Sequence, residues 1–391
     1  MNQKRKILFV TYYGLHLPGG VQSLIKSTIK GCADKEFAVL CISEEEEFKE
    51  EKVNGIKTFY SPFLKKGNEA SKEDFKEQLE KIEEAFKPDI VHGHNLSYSF
   101  DFERSETLRE FFEGKCPVVE HAHHACARNE EVIKKAINLG WDKVITVSRF
   151  AYERVAPLME EKERACVLRN CVDTNIFNPA LKERGKRERG EMGTKDAHVF
   201  LFPSRPVRIS TGKIGEQKQL RVVLRAASLL KERGFSDFFI LIPGIGGYHR
   251  GKEKEAEEGL KEEVAEYGIL ENLKMLSGEL DYEEMYKFYA LGDTVLFPSL
   301  EESFGLVALE GMAMGLPVIG AFSGGVKEII EDNETGLLIS PGDHEKLALY
   351  MERLAKDKEF YEKIAKNGLE EAKKYDLQAY IKKLEKVWNG L

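Results

Sequence analysis

The sequence predicts an α/β protein made of two consecutive domains, each a parallel sheet covered by helices. Three observations lead there. Short apolar runs of strand length alternate with charged, helix-favouring stretches, the text of strand–helix–strand units. That series is interrupted once by a polar segment and then starts again. The chain has 391 residues, and single cores stop growing at ~250–300.

The first series begins with Lys6–Tyr13 (KILFVTYY). A loop holding Pro18-Gly19-Gly20 follows, then a helical pattern from Val21. Further strand-like runs are Ala38–Ile42, Asp89–His92, Val118–Ala122 and Lys143–Val147, with helical text such as Ser71–Phe86 between them. Asn178 to Lys195 (NPALKERGKRERGEMGTK) is charged, lacks apolar periodicity and reads as a linker. The second series comprises His198–Pro203, Phe238–Pro243, Leu273–Leu276, Thr294–Pro298 and Pro317–Ala321, with helical segments at Gln219–Arg233 and Tyr282–Leu291. Ala372–Trp388 is an amphipathic helix expected to pack back on the first domain. The domain bounds read this way are 1–178 and 195–371, with the terminal helix at about 372–391.

Hydrophobic residues make up 42% of the chain, enough for a sizeable core. A net charge of −8 argues against general nucleic-acid binding, so a phosphate ligand would need a local positive pocket. None of the six cysteines forms a CxxC pair, and several sit in apolar text, which points to a reducing, cytoplasmic setting. The N-terminal text passes into a strand-like run after three basic residues, so no secretory leader is expected. No run of ~18 apolar residues would span a bilayer; a peripheral membrane contact stays open.

Candidate chemistry lies in four places. Strand HVFLFP leads into a basic loop, Ser204–Lys218, carrying Arg205, Arg208, Lys213 and Lys218. Arginine forks and lysine ammonium groups at a strand end suit a diphosphate; a solvated loop is the plain alternative. His92 and His94 end one strand, and His121, His123 and His124 end another. Alternate strand residues share a face, so zinc must be weighed against a histidine that donates a hydrogen bond and against structural roles. Gly244-Ile245-Gly246-Gly247 lacks the GxGxxG spacing and points to no NAD site, and Gly324-Gly325 could leave room for a sugar. Finally, Glu302 and Glu310 stand eight apart, one before a helix and one inside it. A helix N-terminus can hold an anion while carboxylates grip hydroxyls. The spacing alone is common in a Glu-rich chain.

The surrounding text resembles the retaining GT-B glycosyltransferases of family 4. Glu302-Ser303-Phe304-Gly305, Glu310-Gly311-Met312-Ala313, Gly315-Leu316-Pro317-Val318, Gly324-Gly325-Val326-Lys327-Glu328 and Thr335–Asp343 (TGLLISPGD) stand in that family's order. Upstream, Pro18-Gly19-Gly20, Pro88–Asn95 (PDIVHGHN), Pro117–His123, Val147-Ser148 and Asn170-Cys171-Val172-Asp173 with Phe177 continue the likeness. Cys171 replaces the usual glycine of its turn. The family's diphosphate element is stretched, so Arg208 and Lys213 rival Arg205 and Lys218.

The resemblance implies two Rossmann-like domains facing across a cleft, the first binding an acceptor and the second a nucleotide-sugar donor. It implies hexosyl transfer with retention and without a metal or other cofactor. Arg205, Lys218 and the N–H groups near Gly305-Leu306 would hold the departing diphosphate. Glu310 would bind ribose hydroxyls, and Glu302 the sugar. Ser303 and Phe304 would complete the donor wall, His123 would bind the sugar or stabilise positive charge through its backbone carbonyl, and Gly20 would leave space at the phosphate or acceptor. Tyr98 would shape the acceptor pocket. A nucleotide-sugar 2-epimerase and a non-catalytic sugar-nucleotide-binding module are the alternatives. The acceptor, the base and the sugar are unread.

Overall fold

The computed structural model describes residues 4–17, 19–43, 45, 47–64, 71–99, 102–124, 130–204, 216–244, 253–276, 280 and 282–391, without the side chains of 98, 99, 132, 186 and 253. Two compact units divide it: Met1–Asn170 with Leu377–Leu391, and Cys171–Asp376.

The first unit holds β1 (Lys6–Val10), β2 (Glu36–Ile42), β3 (Lys49–Val53), β4 (Ile56–Ser61), β5 (Ile90–His94), β6 (Val118–Ala122), β7 (Lys143–Thr146) and β8 (Ala165–Val167). Their order in the sheet is β3-β4-β2-β1-β5-β6-β7-β8. Every pairing is parallel except β3 with β4. The helices are α1 (Gly20–Gly31), α2 (Lys72–Phe86), α3 (Leu96–Ser99), α4 (Phe102–Phe112), α5 (Glu130–Ile137) and α6 (Arg149–Val155). Leu8, Leu40, Val91 and Val118 on the sheet pack with Leu79, Ile82, Phe86 and Phe112 from the helices. Being covered on both faces, these strands are mostly apolar and buried, although β5 (IVHGH) and β6 (VVEHA) also bury histidines and Glu120. The edge strand β3 reads KEEKV and was missed in the sequence, because a charged edge guards against further pairing rather than seeking burial.

The second unit holds α7 (Lys182–Glu191), β9 (His198–Leu201), α8 (Leu220–Glu232), β10 (Phe238–Ile242), α9 (Glu253–Glu266), β11 (Leu273–Met275), α10 (Met285–Ala290), β12 (Thr294–Phe297), α11 (Leu306–Ala313), β13 (Val318–Ala321), β14 (Leu337–Ile339), α12 (His344–Lys356) and α13 (Lys358–Ala372). The sheet order is β11-β10-β9-β12-β13-β14, all parallel. In both units the order turns back beside the first strand: at β1/β5 in one, at β9/β12 in the other. Ligands of such sheets bind beyond the strand ends at that reversal.

The chain then forms α14 (Leu377–Asn389), which buries Leu377, Tyr380, Ile381, Leu384 and Trp388 at helical spacing within the first unit. It starts later than the amphipathic pattern at Ala372 suggested. Tyr375 and Asp376 are instead tied into the second unit, where Val172 N–H donates to the Tyr375 carbonyl and Thr174 to Asp376.

The charged run after Asn178 is not a linker but α7. Arg, Lys and Glu are good helix formers, and Arg187 pairs with Glu191 one turn on. One side chain ties this helix down. The Arg189 guanidinium donates to Asp293 Oδ1 (2.9 Å) and to the carbonyls of Thr194 (3.1 Å) and Ala197 (2.6 Å). Asp293 in turn receives Val199 N–H at the start of β9 (2.8 Å). Arg189→Ala should destabilise the second unit by roughly 2–4 kcal/mol, since it strands a mostly buried carboxylate and two carbonyls. Urea denaturation measures this; a loss within ~0.5 kcal/mol, the level of an ordinary surface substitution, would reduce α7 to decoration.

Candidate functional site

In the second unit, β12 runs into Pro298–Gly305 and α11, the segment carrying most of the family's residues. Gly305 sits at φ 107°, a backbone suited to glycine, and opens α11 without a side-chain cap. The N–H groups of Leu306 and Val307 therefore have no partner among the described residues, while those of Ala308 and Leu309 fold back on the Gly305 carbonyl (3.0 and 3.2 Å). Two free amides and the positive helix end point from one place.

Lys218 and Glu302 come together here, paired Nζ to Oε1, with side chains 32% and 18% exposed. Their partnership spans the β9/β12 reversal. Lys218 lies in the turn before α8, stabilised where Leu300 N–H donates to the Gln217 carbonyl (2.9 Å). Its ammonium stands 5.7 Å over the Phe297 ring. Glu302 is fixed through its backbone, since its carbonyl accepts Gly325 N–H (2.8 Å).

That contact corrects the reading of Gly324-Gly325. A Cβ on Gly324 would lie 2.0 Å from the Glu302 carbonyl oxygen, and one on Gly325 2.3 Å from that of Ser303. The glycines admit the neighbouring backbone rather than a sugar. Phe304 is buried and packs on Tyr375, whose hydroxyl donates to the Glu328 carbonyl (2.8 Å).

Glu310 is 7% exposed, inside α11. Tyr289 donates to its Oε2 (2.7 Å). Burial raises the carboxyl to about 7, against the smaller downward pull of the Tyr289 hydroxyl. Tyr289 was not picked out from the sequence. Its signal was Phe177, whose ring packs on it at 5.7 Å and whose motif position is thereby explained. Cys171, the departure from that motif, is buried without a left-handed backbone, so an ordinary residue fits the turn.

The first unit presents its own reversal. Gly20 opens α1 as an exposed residue after β1. His92 and His94 in β5, His121 in β6 and His123 just past β6 are all buried, with His123 at 9% exposure. His92 Nε2 meets His121 Nδ1 (3.2 Å), His94 Nδ1 meets His123 Nε2 (2.8 Å), and Trp388 donates to His92 Nδ1 (3.0 Å). Burial pushes His92 and His123 down to about 3, and His94 and His121 well below the usual range, so all four are neutral. Nitrogens of His92, His94 and His121 lie within 4.8 Å of one another, a grouping a metal could use. Trp388 and His121, however, already occupy both His92 nitrogens. On the other sheet face Glu120, also raised to about 7 by burial, accepts Leu96 and Ser97 N–H (3.0 and 3.2 Å).

Arg205, Arg208, Lys213, Pro18 and the loop at 245–252 lie outside the described residues, as does the Tyr98 side chain.

The same segments are the ones that known proteins share. Residues 18–176 match Glycosyltransferase Family 4, and residues 194–371 match Glycosyl transferases group 1. This chain belongs to the GT-B glycosyltransferases of the family 4 type. The sulfoquinovosyl transferase of Arabidopsis thaliana is 34% identical over 54% of this chain and 37% of its own length. The D-inositol 3-phosphate glycosyltransferase of Thermomonospora curvata is 28% identical over 66% of this chain and 59% of its own. The chain thus spans between about a third and three fifths of these relatives. Among solved structures, the Anabaena protein HepE, crystallised with UDP-glucose, superposes with TM-score 0.78 at 19% identity over 99% of this chain and 100% of its own. Sucrose-phosphate synthase from Thermosynechococcus elongatus does so with TM-score 0.79 at 17% identity over 99% of each. These likenesses establish the GT-B fold. Among the described residues, no helix is long and apolar enough to cross a membrane.

A carboxyl whose pKa is raised in the folded state favours folding most below its unfolded value. That contribution is lost as pH climbs through the folded value. The stability difference between the unliganded protein and Glu310→Gln should therefore move against the parent from about pH 4.5 to about pH 7, by up to ~1.4 kcal/mol per pH unit, and level off above that. Paired denaturation curves measure it. A pH-independent difference would mean Glu310 is not held protonated by burial.

Proposed function

We propose that this family member transfers a hexosyl group from a nucleotide diphosphate sugar to a hydroxyl acceptor, with retention and without metal. The observation that carries this reading is the Lys218–Glu302 pair beside the uncapped N-terminus of α11, at the sheet reversal where such folds take ligands. HepE, with its bound UDP-glucose, and the sugar-transferring relatives support the class of donor.

In this reading the donor's diphosphate accepts from Leu306 and Val307 N–H and draws Lys218 partly off Glu302. The loosened carboxylate then accepts from sugar hydroxyls. Glu310, oriented by Tyr289 through one oxygen, offers the other to the ribose. Ser303 and Phe304 complete the wall, Arg205 joins Lys218 on the diphosphate, and His123 and Gly20 act on the sugar side. As the bond from anomeric carbon to phosphate oxygen breaks, negative charge grows on the diphosphate. Preorganised amides and the Lys218 ammonium already drawn to the diphosphate oppose that charge with little further reorganisation. The acceptor oxygen bonds to the anomeric carbon on the same face, and its proton passes to the leaving phosphate oxygen. The first unit, through the segment carrying Tyr98, is assigned to the acceptor. The free thiols of Cys32, Cys41, Cys116, Cys166 and Cys171 suit a reducing cytosol.

The decisive experiment screens UDP-, GDP- and ADP-hexoses for binding and then for transfer to pooled acceptors, with the product's anomeric configuration read by NMR. Transfer with retention is expected. Donor turnover without an acceptor would favour the epimerase, and binding without turnover a sugar-nucleotide-binding module. Lys218→Ala should lower transfer by ~100-fold or more. Its stability should change by only ~0–1 kcal/mol, because the ion pair it breaks is partly exposed. Near-normal transfer would move the phosphate role to another cation.

A further inference from the structure

The four buried histidines contain more information than their distances. An indole N–H can only donate. Trp388 therefore makes His92 Nδ1 an acceptor (3.0 Å), and a neutral ring must carry its proton on Nε2. That Nε2–H donates to His121 Nδ1 (3.2 Å), which places the His121 proton on Nε2 as well. His121 Nε2 is buried with no partner among the described residues, and so is His94 Nε2. The two residues face each other in register across β5 and β6, with ring centroids 5.2 Å apart. Were both nitrogens protonated, a water between them could accept both N–H groups only by leaving its own two hydrogens without a described acceptor. With a lone pair on His94 Nε2, one water can accept from His121 and donate to His94, satisfying both. His94 then holds its proton on Nδ1 and donates to His123 Nε2 (2.8 Å). The Phe9 ring packs on the same stack, its centroid 5.4 Å from that of His92 and 5.5 Å from that of His94.

We propose that Trp388, His92, His121, one buried water, His94 and His123 form a one-way hydrogen-bond chain. It fixes His123 as the Nδ1–H tautomer, a hydrogen-bond donor rather than a base. His123 is the most exposed of the four, and its Nδ1 is the ring nitrogen without a described protein partner. Asn95 holds its backbone by accepting His123 N–H (2.7 Å). Trp388, in the last helix, is a positioning residue for His123 at the far end of the chain. The consequence for sugar binding rests on the transferase reading: His123 would donate to a sugar oxygen and would not take the acceptor's proton. The tautomer assignment does not depend on that reading.

The test is long-range 15N–1H correlation NMR on the full-length chain labelled with [15N]histidine. Expected are Nε2–H at His92 and His121, and Nδ1–H at His94 and His123. Trp388→Phe should release His92 and, with it, shift His123 to a tautomer mixture. Should that variant misfold, His94→Asn, which keeps an amide donor at the Nδ1 position, should preserve Nδ1–H at His123, whereas His94→Phe should lose it. Nδ1–H at His92 in the parent protein would overturn the proposal. So would an unmoved His123 in folded Trp388→Phe or His94→Phe. Stoichiometric Co2+ binding with histidine-ligand absorption would overturn it in favour of a metal site. The expected tautomers in a protein that binds no sugar nucleotide would leave the chain standing and remove the transferase reading alone.

Discussion

The contact on which the second unit's site depends is between two stretches of backbone. Gly324 and Gly325 lie so close to residues 302 and 303 that any side chain there would strike a carbonyl. The Gly325 N–H bond to Glu302 locks that approach. It holds the strand-to-helix segment at the end of β12 against the segment at the end of β13. Everything between Pro298 and α11 inherits its position from this clamp: the Glu302 carboxylate, the left-handed Gly305 and the free amides beyond it. A glycine pair does this without filling space. A side-chain clamp would occupy the region beyond the strand ends that the sheet reversal opens.

Both units place their unusual groups at the same topological point. The first buries neutral histidines there, and the second holds the partly exposed Lys218–Glu302 pair and the buried Glu310. The difference follows from what can be satisfied locally. Neutral imidazoles can hand hydrogen bonds from one to the next, so a stack of them survives behind Phe9 without a counter-ion. A buried carboxylate needs donors. Glu120 receives two backbone amides and Glu310 a single tyrosine hydroxyl, and burial still leaves each raised to about 7. Glu310 is thus under-served by the protein, which is the condition for a ligand hydroxyl to be welcome.

Most of the sheets' central strands were legible because parallel strands covered on both faces carry apolar runs; β4, which mixes polar residues into IKTFYS, was not. Three of the four edges were not legible either: β3 is charged, and β8 and β14 are three residues each, whereas the equally short β11 was read. α7 looked like a linker because its hold comes from one arginine rather than an apolar stripe. The family's residues were legible in blocks, but their spelling did not separate chemistry from carpentry. Ser148 caps α6 by accepting Ala151 N–H, Asp343 caps α12 by accepting Lys346 N–H, and the glycine pair serves backbone contact. Tyr289 and Trp388 escaped notice for the opposite reason: each is an aromatic residue in ordinary helical text. Only three-dimensional contact turns them into partners of Glu310 and His92.

Trp388 shows why that last category matters. A buried indole at helical spacing reads as core, and its ring does pack as core against Phe9. Yet the core needs only the ring's area. An indole N–H in the same place has to find an acceptor, and a phenyl ring would have avoided that cost. The acceptor it finds, His92, could have been left with either tautomer, and the direction of every bond beyond it follows from that choice. Packing alone therefore accounts for a large aromatic side chain at this position, whereas the hydrogen-bond order of the first unit calls for tryptophan.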